Sequence, residues 1–597
     1  MMGLLLVAYY FSAFLLEEDL FHVLRQGGLR IVWTRSKLLS TEFALFYYPV
    51  LVYVWGMWLP TAGEELWHAC KRDYGCRAYL RRSGWSWASG DPRYSLVDLA
   101  DIQWREFRGA LPLLVAAAAG LAALVRAACW ATAGRRSGGT VPGALVRLVV
   151  GLGFVVYVHG AGSAFPMVLV LLFYMVVRTT SGTRAAVPAL WTLALLAIVA
   201  KEPKWPVRRH LTFGTLAGRS WAWLDGPAYQ GEYDWAQSVN LILLRLLSFS
   251  LDCHSAALRK AAGGDQKLAT AVEGNERDHA VPAGCRYIFL HGLSHAFYAP
   301  AVLAGPTIGF DDYIEQCATP RASNTHLGWY VAQVMVALAA LEVGTHAYPC
   351  FALARSGQVG QLGPRLGAAA VFLTLNFMWL KFLLLWRIAR AWALAEGIDI
   401  PENMKRALSN HYSVVGFWRC WHASFNRWLV RYIYIPAGGR DRKAFAAAVT
   451  FAFVAIWHDA EAKLMAWGAL NAVFLALETL VTAAWQRRTS QFANQRPWLH
   501  RQVSALGGVT YIIVLMAVNT IGYSAGISGV SGLLETAAST RKEALSVLLG
   551  ACIFLFASVQ VMLEIRKLDG TWAAKTKSPA VSPTLAPTPS GGGKKKP

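Results

Sequence analysis

Two short polar clusters interrupt an otherwise apolar chain, and each pairs a tryptophan with a histidine. The first is Phe417-Trp418-Arg419-Cys420-Trp421-His422-Ala423-Ser424-Phe425-Asn426-Arg427-Trp428; the second is Trp457-His458-Asp459. An imidazole is the side chain whose ordinary pKa lies nearest neutrality, which suits it to taking a proton from a hydroxyl and returning it to a leaving group. His458 ends an apolar run, Phe445 to Trp457, that would carry it below a membrane surface. Burial there favours the neutral imidazole a base requires. His422 is the candidate partner, orienting an acceptor hydroxyl or donating to a developing oxyanion. Asn426 stands four residues on and shares its face if the stretch is helical. Arg419, Arg427 and Arg431 recur at roughly helical spacing and are candidates for phosphate contacts. Trp421 and Trp457 are candidate walls for a bound substrate. Tryptophan beside histidine is also a common interfacial anchor, and lipid headgroups explain the arginines equally well. Asp459 points about 100° away from its neighbour on a helix, which suits a capping or structural role.

The elements that must position these groups belong to a membrane. The 597 residues are 55% hydrophobic and 15% charged, with 25 tryptophans, whereas soluble domains carry about 25% charge. The reading is an all-α, polytopic membrane helical bundle of about 11–13 spans with an intramembrane catalytic chamber, because lipid leaves helices as the plausible spanning element. Candidate spans fall near 43–60, 110–132, 144–160, 164–178, 186–200, 238–252, 287–304, 327–347, 366–386, 443–457, 464–484, 507–527 and 543–563. Residues 3–16 are expected to form a short or re-entrant helix and not a removable signal. Residues 61–109 are expected as a long polar loop along the surface, and 254–285 as a flexible loop. The stretch 387–436 reads as helices in the interface or inside the bundle, presenting polar groups to a cavity. The net charge of +22 lies mostly between apolar runs, which points to lipid headgroups and topology control; no motif suggests nucleic acid. Of nine cysteines only Cys70 and Cys76 sit together in a polar stretch. They would pair in an oxidising lumen, or remain two free thiols. Three regions are expected: N-terminal membrane helices and a polar loop over 1–230, a catalytic core over 231–565, and a disordered basic tail over 566–597.

Five motifs in order resemble the membrane-bound O-acyltransferase superfamily, and within it the glycerol-uptake-protein (Gup) branch related to the Hedgehog acyltransferases. They are Asn240-Leu241-Ile242-Leu243-Leu244-Arg245-Leu246-Leu247-Ser248-Phe249; Tyr298-Ala299-Pro300 with Ala304-Gly305-Pro306; Trp379-Leu380-Lys381 to Trp386-Arg387 with Asp399-Ile400-Pro401-Glu402-Asn403-Met404; and the two clusters above. The resemblance runs from about residue 234 to 527. It implies a fatty acyl group moved from acyl-CoA, with no permanently bound cofactor, to a hydroxyl or amine. His458 matches the histidine of the later family motif. His422 stands where family members place His, Asn or Asp. The branch further implies a lysophospholipid acceptor, in particular the sn-2 hydroxyl of a lyso-glycosylphosphatidylinositol (lyso-GPI), and residence in the endoplasmic-reticulum membrane. Lys594 and Lys595 look like a dilysine retrieval signal on a cytosolic C-terminal tail.

Rival signals are weaker. His68-x4-Asp73 matches an acyltransferase motif of soluble-face enzymes but lies alone in a charged stretch. His291 and His295 have metal-binding spacing on a helix, yet no third ligand is near in sequence, so core histidines explain them better and no metal is expected. Protein N-terminal acylation, small-solute transport and a catalytically dead regulator remain as alternatives. Transport would favour paired broken helices in repeated halves, and none is evident. A dead regulator would not need both histidines.

Overall fold

In a computed structural model the chain is a helical bundle, described here for residues 38, 40–82, 96–133, 140–261, 287–319, 324–458 and 462–576. Long runs without polar alternation satisfy their backbone internally as helices, the condition for crossing hydrocarbon. Among the described residues ten are long and apolar enough to span: Phe43–Arg72, Ile102–Ala131, Val141–His159, Ala161–Thr180, Ala236–Ala261, Leu327–Ala347, Pro364–Ala395, Leu464–Thr489, Pro497–Tyr523 and Arg541–Lys567. Two shorter apolar helices, Ala186–Lys201 and Lys443–Trp457, join them. These two touch each other, with the Trp191 ring edge-on to Phe453 at 5.6 Å. The most deeply buried span is Pro364–Ala395. On one side it packs a core containing Trp55, Trp67, Trp104 and Trp379. A second core, around Trp428, Phe453 and Trp457, closes on both histidine clusters.

Several expectations need correction. The candidate span 287–304 does not cross: it breaks into Phe289–Ala296 and Ala299–Val302. Pro300 sits in the first turn of the second piece, where its ring and missing N–H cannot continue the first helix. The turn then doubles back so tightly that a side chain at Gly305 would lie 2.5 Å from the Pro300 carbonyl oxygen. The polar stretch 61–109 is not a surface loop through its described parts. The first helix runs on to Arg72, and Trp67 is buried, its indole donating to the Ala347 carbonyl at 2.7 Å. Residues 80–82 and 96–98 form a two-stranded antiparallel pair, and Trp104 is fully buried. Cys70 and Cys76 form a disulfide.

The charged residues over 387–402 pair inside the bundle and do not face a cavity, whereas Arg419, later in the same stretch, does. Arg387 and Glu402 are buried 3.7 Å apart, and Arg390 bonds Asp399 at 2.9 Å and Glu402 at 3.4 Å. Glu396 lies against Arg147 at 3.6 Å. Buried ions that pair locally avoid most of the cost of leaving water. Residues 1–37, most of 254–285 and the tail beyond Thr576 lie outside the described residues, and so does Asp459.

Candidate active site

The helix Lys443–Trp457 ends on His458. Residues 443, 447, 450, 451, 454, 457 and 458 all line one internal cavity of about 1060 Å³. That spacing of three and four is a single helix face, so the cavity follows this helix from end to end. Fifteen residues at 1.5 Å rise make it about 22 Å long. Arg440 and Lys443 line one end and His458 the other, while the middle is apolar.

The level of His458 is marked by Asn240, in the second turn of the helix Ala236–Ala261. Its amide donates to the Trp457 carbonyl at 2.7 Å, and the Trp457 indole donates back to the Asn240 carbonyl at 3.2 Å. Farther along, the Leu244 carbonyl takes the Trp428 indole at 2.9 Å, and Asp252 takes Arg431 at 2.9 Å. The helix Ala236–Ala261 thus runs from the histidine end, where Gln237 and Asn240 line the cavity, toward the level of Arg431. With Gln103, the histidine end carries three uncharged amides. Gln103 is held there by Lys381, which bonds its carbonyl oxygen at 3.0 Å and Asp101 at 2.7 Å.

His422 does not sit within a continuous helix. One helix, Val414–Cys420, stops at an extended Trp421, and a second begins at Ala423. Between them His422 is left-handed, φ 45° and ψ 48°, the one positive-φ residue other than glycine among the described residues. Such a backbone costs an imidazole-bearing residue on the order of 1–2 kcal/mol and persists where neighbours over-determine it. Here they do. The Ala423 N–H donates to the Asn403 carbonyl at 2.9 Å. The Ser424 N–H and hydroxyl donate to Asn403 Oδ1 at 3.0 and 2.6 Å. The Thr307 N–H, arriving from the Gly305 turn, donates to the Ser424 hydroxyl at 2.9 Å. The kink turns the imidazole flat against Trp386, centroids 4.6 Å apart and planes at 15°.

Both imidazoles then stand against one indole, Trp457, at 6.4 Å for His422 and 4.7 Å for His458. Phe425 stacks on the same indole at 4.6 Å. His422 lies between spans; burial first, and the neighbouring His458 second, push its pKa down, so its ring stays neutral.

Of the residues singled out in the sequence, the structure brings His458, His422, Asn426, Arg419, Trp421 and Trp457 to this one cavity. Asn426 keeps its backbone bond to the His422 carbonyl at 2.9 Å although the helix breaks just before it, at Trp421 and His422. Arg427 and Arg431 are not in the lining; Arg431 is bonded to Asp252 and lies over Tyr432. His68 is on an exposed helix face, while His291 and His295 are buried in the bundle. Among the described residues no group of three His, Cys, Asp or Glu side chains could hold a metal.

Sequence reasoning missed the roles of Gln103, Gln237, Trp386, Asn403 and Lys443. Asn403 and Trp386 were visible as motif letters only, and Gln103 carries no signal at all. The Asn240 bond gives a direct expectation. Replacing Asn240 with Leu strips the donor from the residue before His458 and frees the end of its helix. Turnover should fall about 100-fold with little change in acyl-CoA KM, read from initial rates in detergent.

Comparison with known proteins places the chain in a family. Residues 211–518 match MBOAT, the membrane-bound O-acyltransferase family. The chain is 31% identical over 488 residues to the membrane-bound O-acyltransferase gup1 of Schizosaccharomyces pombe, covering 79% of this chain and 80% of the relative. It is 31% identical over 539 residues to GUP1 of Saccharomyces cerevisiae, covering 88% and 91%. A more distant similarity, 27% over 250 residues, links it to the protein-cysteine N-palmitoyltransferase HHAT of Mus musculus, covering 38% of this chain and 48% of that one.

Proposed function

This chain belongs to the membrane-bound O-acyltransferase family, and from that premise we propose that it moves a fatty acyl group from acyl-CoA to a lysolipid hydroxyl, sn-2 of lyso-GPI, with His458 as base and His422 as its partner. The observation that carries the reading is the meeting of two imidazoles from separate helices on one indole, inside one long cavity.

The cavity's shape supports an order of events. Arg440 and Lys443 at one end suit the phosphates of a CoA headgroup. The apolar helix face beyond them suits the chain leading inward. The amides at the other end suit an acceptor approaching from the opposite side. There the acceptor hydroxyl gives its proton to the His458 ring as its oxygen bonds to the thioester carbon. The carbonyl electrons move onto oxygen, and N–H groups of His422 and Asn426 lie on the same wall to meet that charge. The C–S bond then breaks, and the thiolate takes the proton from His458. The aromatic wall around the imidazoles limits the water that would hydrolyse the thioester. Arg419 belongs with the donor contacts in this reading. Arg427 and Arg431 act through packing and the Asp252 pair.

The Gup-like sequence favours lipid acceptors over the protein cysteine nitrogen that the distant palmitoyltransferase is named for. We place the enzyme in the endoplasmic-reticulum membrane, with Lys594 and Lys595 on a cytosolic tail and a catalytic core over 231–565. The test offers radiolabelled fatty acyl-CoA to purified protein with lyso-GPI, lysophosphatidylinositol and an N-terminal cysteine peptide in parallel. Label on lyso-GPI supports the reading. Label on the peptide alone overturns the acceptor, and label on none overturns the transferase assignment of this cavity.

A further inference from the structure

Between the short span Ala186–Lys201 and the helix Ala236–Ala261 the chain forms a compact run of turns outside the spans: Pro206–His210, Phe213–Leu216, Arg219–Asp225 and Pro227–Tyr229. It is tied together internally. The Asp225 carboxylate accepts the Phe213 and Gly214 N–H groups, both at 2.9 Å, and the Asp225 carbonyl accepts the Gln230 amide at 3.1 Å.

It is also tied to the bundle at one place. Gly160, the turn between two spans, pairs with Gln230, and the Tyr233 N–H donates to the Val158 carbonyl at 2.9 Å. The approach is so close that a side chain on Gly231 would lie 2.2 Å from the Val158 oxygen. Arg208 bonds Asp234 at 2.7 Å and lies over Trp235 at 4.5 Å. The run therefore sits at the end of two spans, on the side from which Gln237 and Asn240 enter the cavity.

Its outer face has an unusual composition for a surface beyond the spans. Trp205, Val207, Trp221, Trp223 and Tyr229 are each about half exposed, and Leu216 is 62% exposed. Lys204, Arg209 and Arg219 stand exposed among them, while Arg208 is held by Asp234. Water alone is a poor partner for that much apolar surface. Hydrocarbon is a poor partner for three exposed cations. The headgroup layer accommodates both, taking indole rings at its depth and pairing cations with lipid phosphates.

We propose that residues 203–229 form a platform lying in the headgroup layer, which holds anionic lipid beside the amide end of the cavity and so presents the lipid acceptor to it. The delivery half rests on the lysolipid reading above; the lipid contact does not.

The test places the full chain in nanodiscs of phosphatidylcholine alone and with phosphatidylinositol added, and follows hydrogen exchange across 203–229. Exchange should slow when phosphatidylinositol is present. Equal exchange in both discs overturns the platform. Slowing by inorganic phosphate in solution to the same extent reassigns it as a free-phosphate site and overturns the lipid proposal. A variant carrying Trp205→Ser, Arg209→Ser, Arg219→Ser and Trp221→Ser should lose the effect. It should also raise KM for a bilayer-embedded lysolipid, about fivefold for each cation removed, with kcat and acyl-CoA KM unchanged. An unchanged lysolipid KM overturns delivery. If the unaltered protein acylates no lysolipid, the functional reading fails, and exchange still decides the lipid contact.

Discussion

His458→Ala should lower acyl transfer by roughly 10³-fold, within the range for loss of a positioned general base, while the protein stays folded and still binds acyl-CoA. The argument is local. His458 caps the C-terminal end of its helix, its N–H bonded to the Val454 carbonyl at 3.0 Å. Alanine keeps that bond and the helix. What disappears is the group that takes the hydroxyl proton and returns it to the thiolate. The space vacated opens on the cavity, so added imidazole should restore part of the rate and do nothing for the unaltered enzyme. Retained transfer by His458→Ala, at matched abundance and melting temperature, would remove His458 from the chemistry.

The second large effect comes from a residue that never meets substrate. Asn403→Leu should lower transfer about 100-fold, the scale of a displaced catalytic group. The Asn403 oxygen holds both the N–H and the hydroxyl of Ser424, and Asn403 is fully buried. Leucine leaves two buried donors unmet at about 1–3 kcal/mol each, next to a left-handed His422 that already opposes its own backbone preference. The turn then relaxes toward continuous helix and the imidazole leaves its seat on Trp386. The control is Asn403→Asp. It keeps an oxygen for Ser424 and gives up an amide nitrogen that has no hydrogen-bond partner among the described residues, so it should retain most of the rate. Equal losses in Leu and Asp, measured as kcat at saturating acyl-CoA, would count against the turn-holding role.

These expectations show what was legible in the sequence. The bundle was, because spans declare themselves by composition over stretches the length of a bilayer. The histidine clusters were, because imidazoles in apolar sequence stand out. The broken span at 287–304 was hidden by its apolar average, which outweighed Pro300 although the prolines around it were visible as a motif. The left-handed turn at His422 was not legible either. It is imposed by Asn403 and Thr307, residues distant in sequence, and local periodicity predicts an unbroken helix there. For the same reason Arg431 looked like a phosphate contact until Asp252, far earlier in the chain, arrived beside it. Gln103 and Lys381 meet only across the folded bundle.

The two abutting short helices have a mechanical consequence. At 16 and 15 residues they reach about 24 and 22 Å, against a hydrocarbon layer of about 30 Å. Val187, Leu195, Leu196 and Phe445 are exposed along them, so lipid borders this flank. Acyl chains there must compress to meet the protein, which makes a local dimple in the leaflet. The dimple lies on the flank of the helix that carries His458, so it shortens the distance a headgroup must travel to reach the imidazole. Transfer should therefore run faster in bilayers of short-chain than of long-chain lipid, a comparison of initial rates that checks the mismatch.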